Sequence, residues 1–96
     1  MNIKFKVDLN ESSMFTKNSE YKKAYSIYTC VDDVWFNSTL AFFYYTHISI
    51  SLLFKFMDDS NYQYFFDGST VYFKNKKDAE EIVSLIDHLQ VLSDLE

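Results

Sequence analysis

The side chains able to do proton, metal or nucleophile chemistry in this 96-residue chain are two histidines, one cysteine and fourteen carboxylates. His47 stands in an uncharged stretch and His88 near the C-terminal end, neither with a Cys, Asp or second His at a metal-ligand spacing. A Ser/His/Asp set can be picked out of any chain this rich in serine, so its presence has no weight. Gly68 is the lone glycine, which leaves no glycine-rich phosphate loop and few positions for close backbone approach. The aspartates lack the spacing and central glycine of a calcium loop. The residues therefore point away from catalysis, and no cofactor or metal is expected. His47 reads as a strand-end residue and His88 as a solvated helix residue.

The carboxylates are more informative. Asp32, Asp33, Asp58, Asp59, Asp67, Asp78, Glu80, Glu81, Asp87, Asp94 and Glu96 gather in turn-like segments and along one C-terminal helical face. The ordinary explanation is that turns favour Asp, helix N-termini favour acids, and outer helix faces are charged. The functional alternative is that they imitate a phosphate backbone and draw in a basic, nucleic-acid-binding protein. Asp58, Asp59, Asp78, Glu80, Glu81 and Asp87 are the candidate contacts for that partner.

Aromatic residues are the second resource. Ten Phe, eight Tyr and one Trp make up a fifth of the chain, more than one small core readily hides. Phe65 and Tyr72 fall on the side of a hairpin opposite its core face, with Tyr44 or Tyr45 as further candidates. If that side is open, it is an aromatic interface suited to a protein partner or to self-association, simplest as a two-fold dimer. If it is closed, the segment from Val34 to Tyr45 folds over it.

Charge and composition narrow the partners. Nine Lys, no Arg and fourteen acids leave a net charge of −5. No basic patch is visible, which disfavours direct nucleic-acid binding. Cys30 is the lone cysteine, so no intrachain disulfide forms and a reducing compartment fits. The first residues alternate without an apolar run, unlike a signal peptide. Val34 to Phe54 is 21 residues without a full charge. Polar residues interrupt it throughout, so it is not read as a membrane span. A cytoplasmic location is expected.

These residues need a scaffold, and the length allows one domain, residues 1–96, with one core. Ile3, Phe5, Val7 and Leu9 alternate with polar residues, as in a half-buried strand. Tyr25 to Val31 favours a second strand, with Tyr25, Ile27, Thr29 and Val31 on one face, although Tyr21, Ala24, Tyr25 and Tyr28 also fall at helical spacing. Asp32-Asp33 reads as a turn or a helix N-cap. Trp35 to Tyr45 fits either a short buried helix carrying Leu40, Ala41, Phe43 and Tyr44, or further strand. Ile48, Ile50, Leu52, Phe54 and Phe56 alternate with their neighbours and predict a long strand, ended by a turn at Asp58-Asp59-Ser60-Asn61. A hairpin follows with Asp67-Gly68 as a two-residue type I′ turn. Counting outward pairs Phe66 with Ser69, Phe65 with Thr70 and Tyr64 with Val71. That puts Tyr62, Tyr64, Phe66, Val71 and Phe73 on the core side. The chain closes with an amphipathic helix capped by Asn75 and Asp78, with Ala79, Ile82, Val83, Ile86, Leu89 and Gln90 inward. The fold class is α+β: a mainly antiparallel sheet, built from the N-terminal strand and a C-terminal three-stranded meander, with the helix on one face.

The run Thr70-Val71-Tyr72-Phe73-Lys74-Asn75-Lys76-Lys77-Asp78-Ala79 resembles the strand-to-helix ending of small early proteins of T-even-type bacteriophages. Abundant Phe, Tyr, Asn, Lys and Ile beside scarce Gly, Pro and Arg is the bias of AT-rich coding. With the acidic charge, the chain resembles the phage anti-restriction class of small acidic DNA mimics. The resemblance implies a non-enzymatic inhibitor in the host cytoplasm, bound to a basic host protein such as a nuclease, a DNA-binding protein or a defence protein. No functional residue is carried over by it.

Overall fold

The computed structural model describes residues 3–37, 44 and 49–94. Strand β1 (Ile3–Asn10) pairs along its whole length with β2 (Ala24–Val31), in a register that sets Val7 opposite Ile27. The other edge of β2 is shared. Near its end it pairs with β3 (Val34–Phe36), and at Tyr25 it pairs with β5 (Val71–Phe73). Strand β4 (Tyr64–Phe66) lies outside β5, and every pairing in this five-stranded sheet is antiparallel. The α+β fold with a C-terminal helix packed on an antiparallel sheet is as the sequence predicts. Residues Leu40, Ala41, Phe43, Tyr45 and His47 lie outside the described residues, as do the side chains of Leu89 and Gln90.

Asp32 and Asp33 both have positive φ, 49° and 71°, and so close β2–β3 as a two-residue turn rather than capping a helix. Trp35 is therefore in a strand, paired with Cys30.

The predicted long strand through residues 48–57 is overturned. Ile50–Asp59 is helix α1, and the expected three-stranded meander is only the β4–β5 hairpin. Apolar residues fill both parities of this stretch, so its alternation is incidental. At helical spacing, Leu53 and Met57 are i and i+4, and they are the buried pair. The Ser49 hydroxyl starts the helix by accepting from Leu52 N–H at 3.4 Å.

The hairpin forms two residues away from its predicted register. Phe66 pairs with Val71, Phe65 with Tyr72 and Tyr64 with Phe73, leaving Asp67 to Thr70 as a four-residue loop. Gly68 has φ 97°, whereas Asp67 is not in the left-handed region, so the type I′ turn is not made. The Asp67 carboxylate instead accepts from Ser69 N–H and Thr70 N–H, both at 2.8 Å. A shift by two preserves every side chain's face, so the predicted core side survives.

Helix α2 (Lys76–Asp94) crosses the sheet with Ala79, Ile82 and Ile86 fully buried against Phe73, Val71, Met57 and Leu53. Phe5, Val7 and Ile27 join from below. At its start, the Asn75 side chain donates to Asp78 Oδ2 at 3.4 Å, and Ala79 N–H bonds to Asn75 O.

The opposite face is covered at Ala24, Phe65 and Tyr72 by the β1–β2 connection. The β1–β2 connection is tied back by Ser13 Oγ, which accepts from Ala24 N–H and donates to Lys22 O, each at 3.1 Å. It lays Tyr21 over Ala24, Tyr72 and Phe65 as a second small core. Beneath it, Asn10 Nδ2 donates to Ser26 Oγ, which donates to Val71 O, joining β1, β2 and β5 through buried side chains.

Candidate acidic–aromatic interface

Helix α1 ends in a left-handed cap that fixes the geometry of the site. Asn61 has φ 61°, Asn61 N–H bonds to Asp58 O at 3.2 Å, and Tyr62 N–H bonds to Met57 O at 2.9 Å. This is a Schellman motif, in which asparagine tolerates the positive φ and the residue after it turns back onto the helix. Tyr62 accordingly packs on Phe56, ring centroids 6.0 Å apart. The Tyr62 hydroxyl then reaches α2 and donates to Glu81 Oε2 at 2.7 Å. Two residues on, Tyr64 stacks on Phe54 and donates its hydroxyl to Asp58 Oδ1 at 2.8 Å.

The two phenols thereby join carboxylates from two helices. The Tyr62 pKa is raised, first by its hydrogen bond to Glu81, then by burial and by the charges of Glu81 and Asp78. Tyr64 is pushed up to about 12, mainly by burial and then by its bond to Asp58 and that residue's charge. Both stay protonated at neutral pH, so they orient the acids without cancelling their charge.

Each predicted contact can now be placed. Asp58 and Asp59 form the exposed last turn of α1, while Glu80, Glu81 and Asp87 lie on the exposed outer side of α2. Asp78 is half-buried in the first turn of α2. Partial desolvation raises the pKa of Asp87. Tyr62 ties Glu81 to the end of α1, and the charge of Asp78 acts on the same phenol, whereas Glu80 and Asp87 share with Glu81 only the outer side of α2. Phe65 and Tyr72 belong elsewhere. Tyr72 is 4% exposed, and Phe65 is half-buried between Tyr72 and Tyr21. Of the two alternatives for this face, open or closed, the closed one holds at these two residues, under Tyr21.

Two apolar residues that the strand reading missed now stand out. Leu52 is 68% exposed and Phe56 40% exposed. They are i and i+4 on α1, off the buried Leu53–Met57 stripe, and Phe56 touches Tyr62. Read at helical spacing, the sequence separates these pairs; read as alternating, it hides them. Among the described residues no three His, Cys, Asp or Glu side chains come together as a metal site. No helix among them is long and apolar enough to cross a membrane. Compared with protein-family models, curated proteins and solved structures, the chain shows no significant match to any of them.

Proposed function

We propose that this protein acts without catalysis, by binding a basic macromolecular partner through the end of α1 and the outer side of α2. Leu52 and Phe56 are the apolar anchors, and Asp58, Asp59, Asp78, Glu80, Glu81 and Asp87 are the charged surround. The observation that carries this reading is the position of Asp58 and Asp59. Acids at a helix N-terminus, such as Asp78, are explained by the helix dipole. Asp58 and Asp59 sit in the C-terminal turn of α1, where no basic residue lies and the dipole opposes them; the Tyr64 hydroxyl offsets this for Asp58, whereas among the described residues Asp59 receives no such bond. An arrangement that costs stability beside an exposed Phe suits a surface kept for binding.

The partner this surface fits is a basic protein, including one that normally grips nucleic acid. Occupying its groove would make this chain an inhibitor of a nuclease or of a DNA-binding or defence protein. The test is capture from bacterial lysate on immobilised protein at low and high salt, followed by identification of what is retained. Basic proteins should be held at low salt and released at high salt, because charge-steered binding is screened. Glu80→Lys, Glu81→Lys and Asp87→Lys together should abolish their capture, and Phe56→Ala should weaken it. Undiminished capture by the triple reversal would refute the acidic-face reading.

A further inference from the structure

Among the described residues, strand β1 is an end strand of the sheet. The Asp32-Asp33 turn makes Val31 and Val34 a hydrogen-bonded pair facing β3. Because bonding direction alternates along an antiparallel strand, Ile3, opposite Val31, turns its backbone groups outward, and so do Val7 and Leu9. Leu9 agrees with this orientation: its N–H is turned from β2 and bonds at 2.8 Å to the exposed Asp8 carboxylate, a bond that strand pairing would exchange, freeing the carboxylate. Edge strands are commonly blunted by lysines held over the edge. Here Lys6 leans the other way, its ammonium 4.5 Å from the centre of the Trp35 ring and 5.5 Å from that of Tyr28.

We propose that a second copy of this chain docks on this edge, the two β1 strands running antiparallel about a two-fold axis at Val7. In that register Val7 faces Val7 of the other copy in a hydrogen-bonded pair, and Leu9, 44% exposed, faces Phe5. Lys6 then lies opposite Asp8 twice, and Lys4 lies opposite Asn10. No like charges meet. An axis at Phe5, Lys6 or Asp8 would set like charges face to face, and one at Leu9 would leave most of β1 unpaired because the strand ends at Asn10, so charge and length together favour the Val7 register. This surface is separate from the acidic interface and does not depend on it.

A charge swap tests the proposal by sedimentation equilibrium. Lys6→Asp sets two carboxylates opposite one another, and Asp8→Lys sets two ammonium groups opposite one another. Each should weaken self-association by about tenfold or more. An equimolar mixture of the two variants, and the double variant K6D/D8K, should each recover association, because unlike charges would again face each other across the axis. Long-range repulsion alone predicts otherwise: Asp8→Lys brings the net charge nearer zero and would strengthen association. Recovery in the mixture also excludes loss of fold or of the Trp35 contact as the cause. A monomeric wild-type chain at concentrations up to about 1 mM, or single variants that associate like wild type, would overturn the proposal and leave the edge to solvent or to a foreign strand.

Discussion

Asp67 does with its side chain what a second left-handed residue would do with its backbone. Its carboxylate collects Ser69 N–H, Thr70 N–H and, at 3.3 Å, the Tyr72 hydroxyl. Burial works to raise its pKa, yet these donors prevail and hold it below its ordinary value. Its charge therefore stabilises the fold above the unfolded-state pKa of about 3.9, and that contribution is lost as pH falls through the lower folded-state value. Asp67→Ala should cost about 1–2 kcal/mol in urea denaturation at neutral pH, and the difference from wild type should shrink in acid. At Gly68, φ 97° is strained for any L side chain, although nothing lies within 4 Å of an added Cβ. Gly68→Ala should thus cost about 1 kcal/mol from the backbone alone. Asp-Gly marked the turn in the sequence. The loop length was not legible, because a side-chain turn and a type I′ turn ask for the same two residues.

At the scale of elements, β1 and α2 were readable because each has a single periodicity with one polar side, whereas β2, covered on both faces, was read from its β-branched and aromatic content. Helix α1 was not, since Ile50, Leu52, Leu53, Phe54, Phe56 and Met57 supply apolar residues to both a period of two and a period of 3.6. What decides is tertiary: Ser49 and Asn61 cap the segment, and Phe54 lies against Tyr64 and Phe66, at 5.4 and 5.2 Å. The candidate site shared this blindness, since Leu52 and Phe56 read as core residues while α1 is taken for a strand. The acids themselves were legible, but not the tyrosines that link them. Met57→Ala, at a position with 0% exposure, should cost about 2–4 kcal/mol, and Leu52→Ala, at 68%, less than about 0.5 kcal/mol. As a strand, the segment would bury Leu52 with Ile50 and Phe54 and turn Met57 outward, and denaturation midpoints would rank the two variants in reverse.

The whole molecule places its protonated phenols and its acids together. Tyr21, Tyr28, Tyr62, Tyr64 and Tyr72 all have raised pKa values. A raised folded-state pKa means that the folded chain holds these protons more tightly. Their stabilisation is complete below the unfolded-state value of about 10, and it declines as pH rises through the folded values, which reach about 12 for Tyr64. Thermal unfolding should therefore shift to lower temperature as pH passes from about 10 toward 12. Asp58→Asn should lower the Tyr64 midpoint in ultraviolet titration, because it removes the carboxylate charge. On the proposed reading, the charge of Asp59 at the end of α1 serves binding at the expense of the helix. The most direct test is Asp59→Asn, which leaves the Tyr64–Asp58 bond in place, followed through thermal denaturation and low-salt capture of basic lysate proteins together. Removing this charge from the unfavourable helix end should leave stability unchanged or raise it by about 0.3–1 kcal/mol, while partner capture should fall. Lower stability with capture intact would contradict this reading.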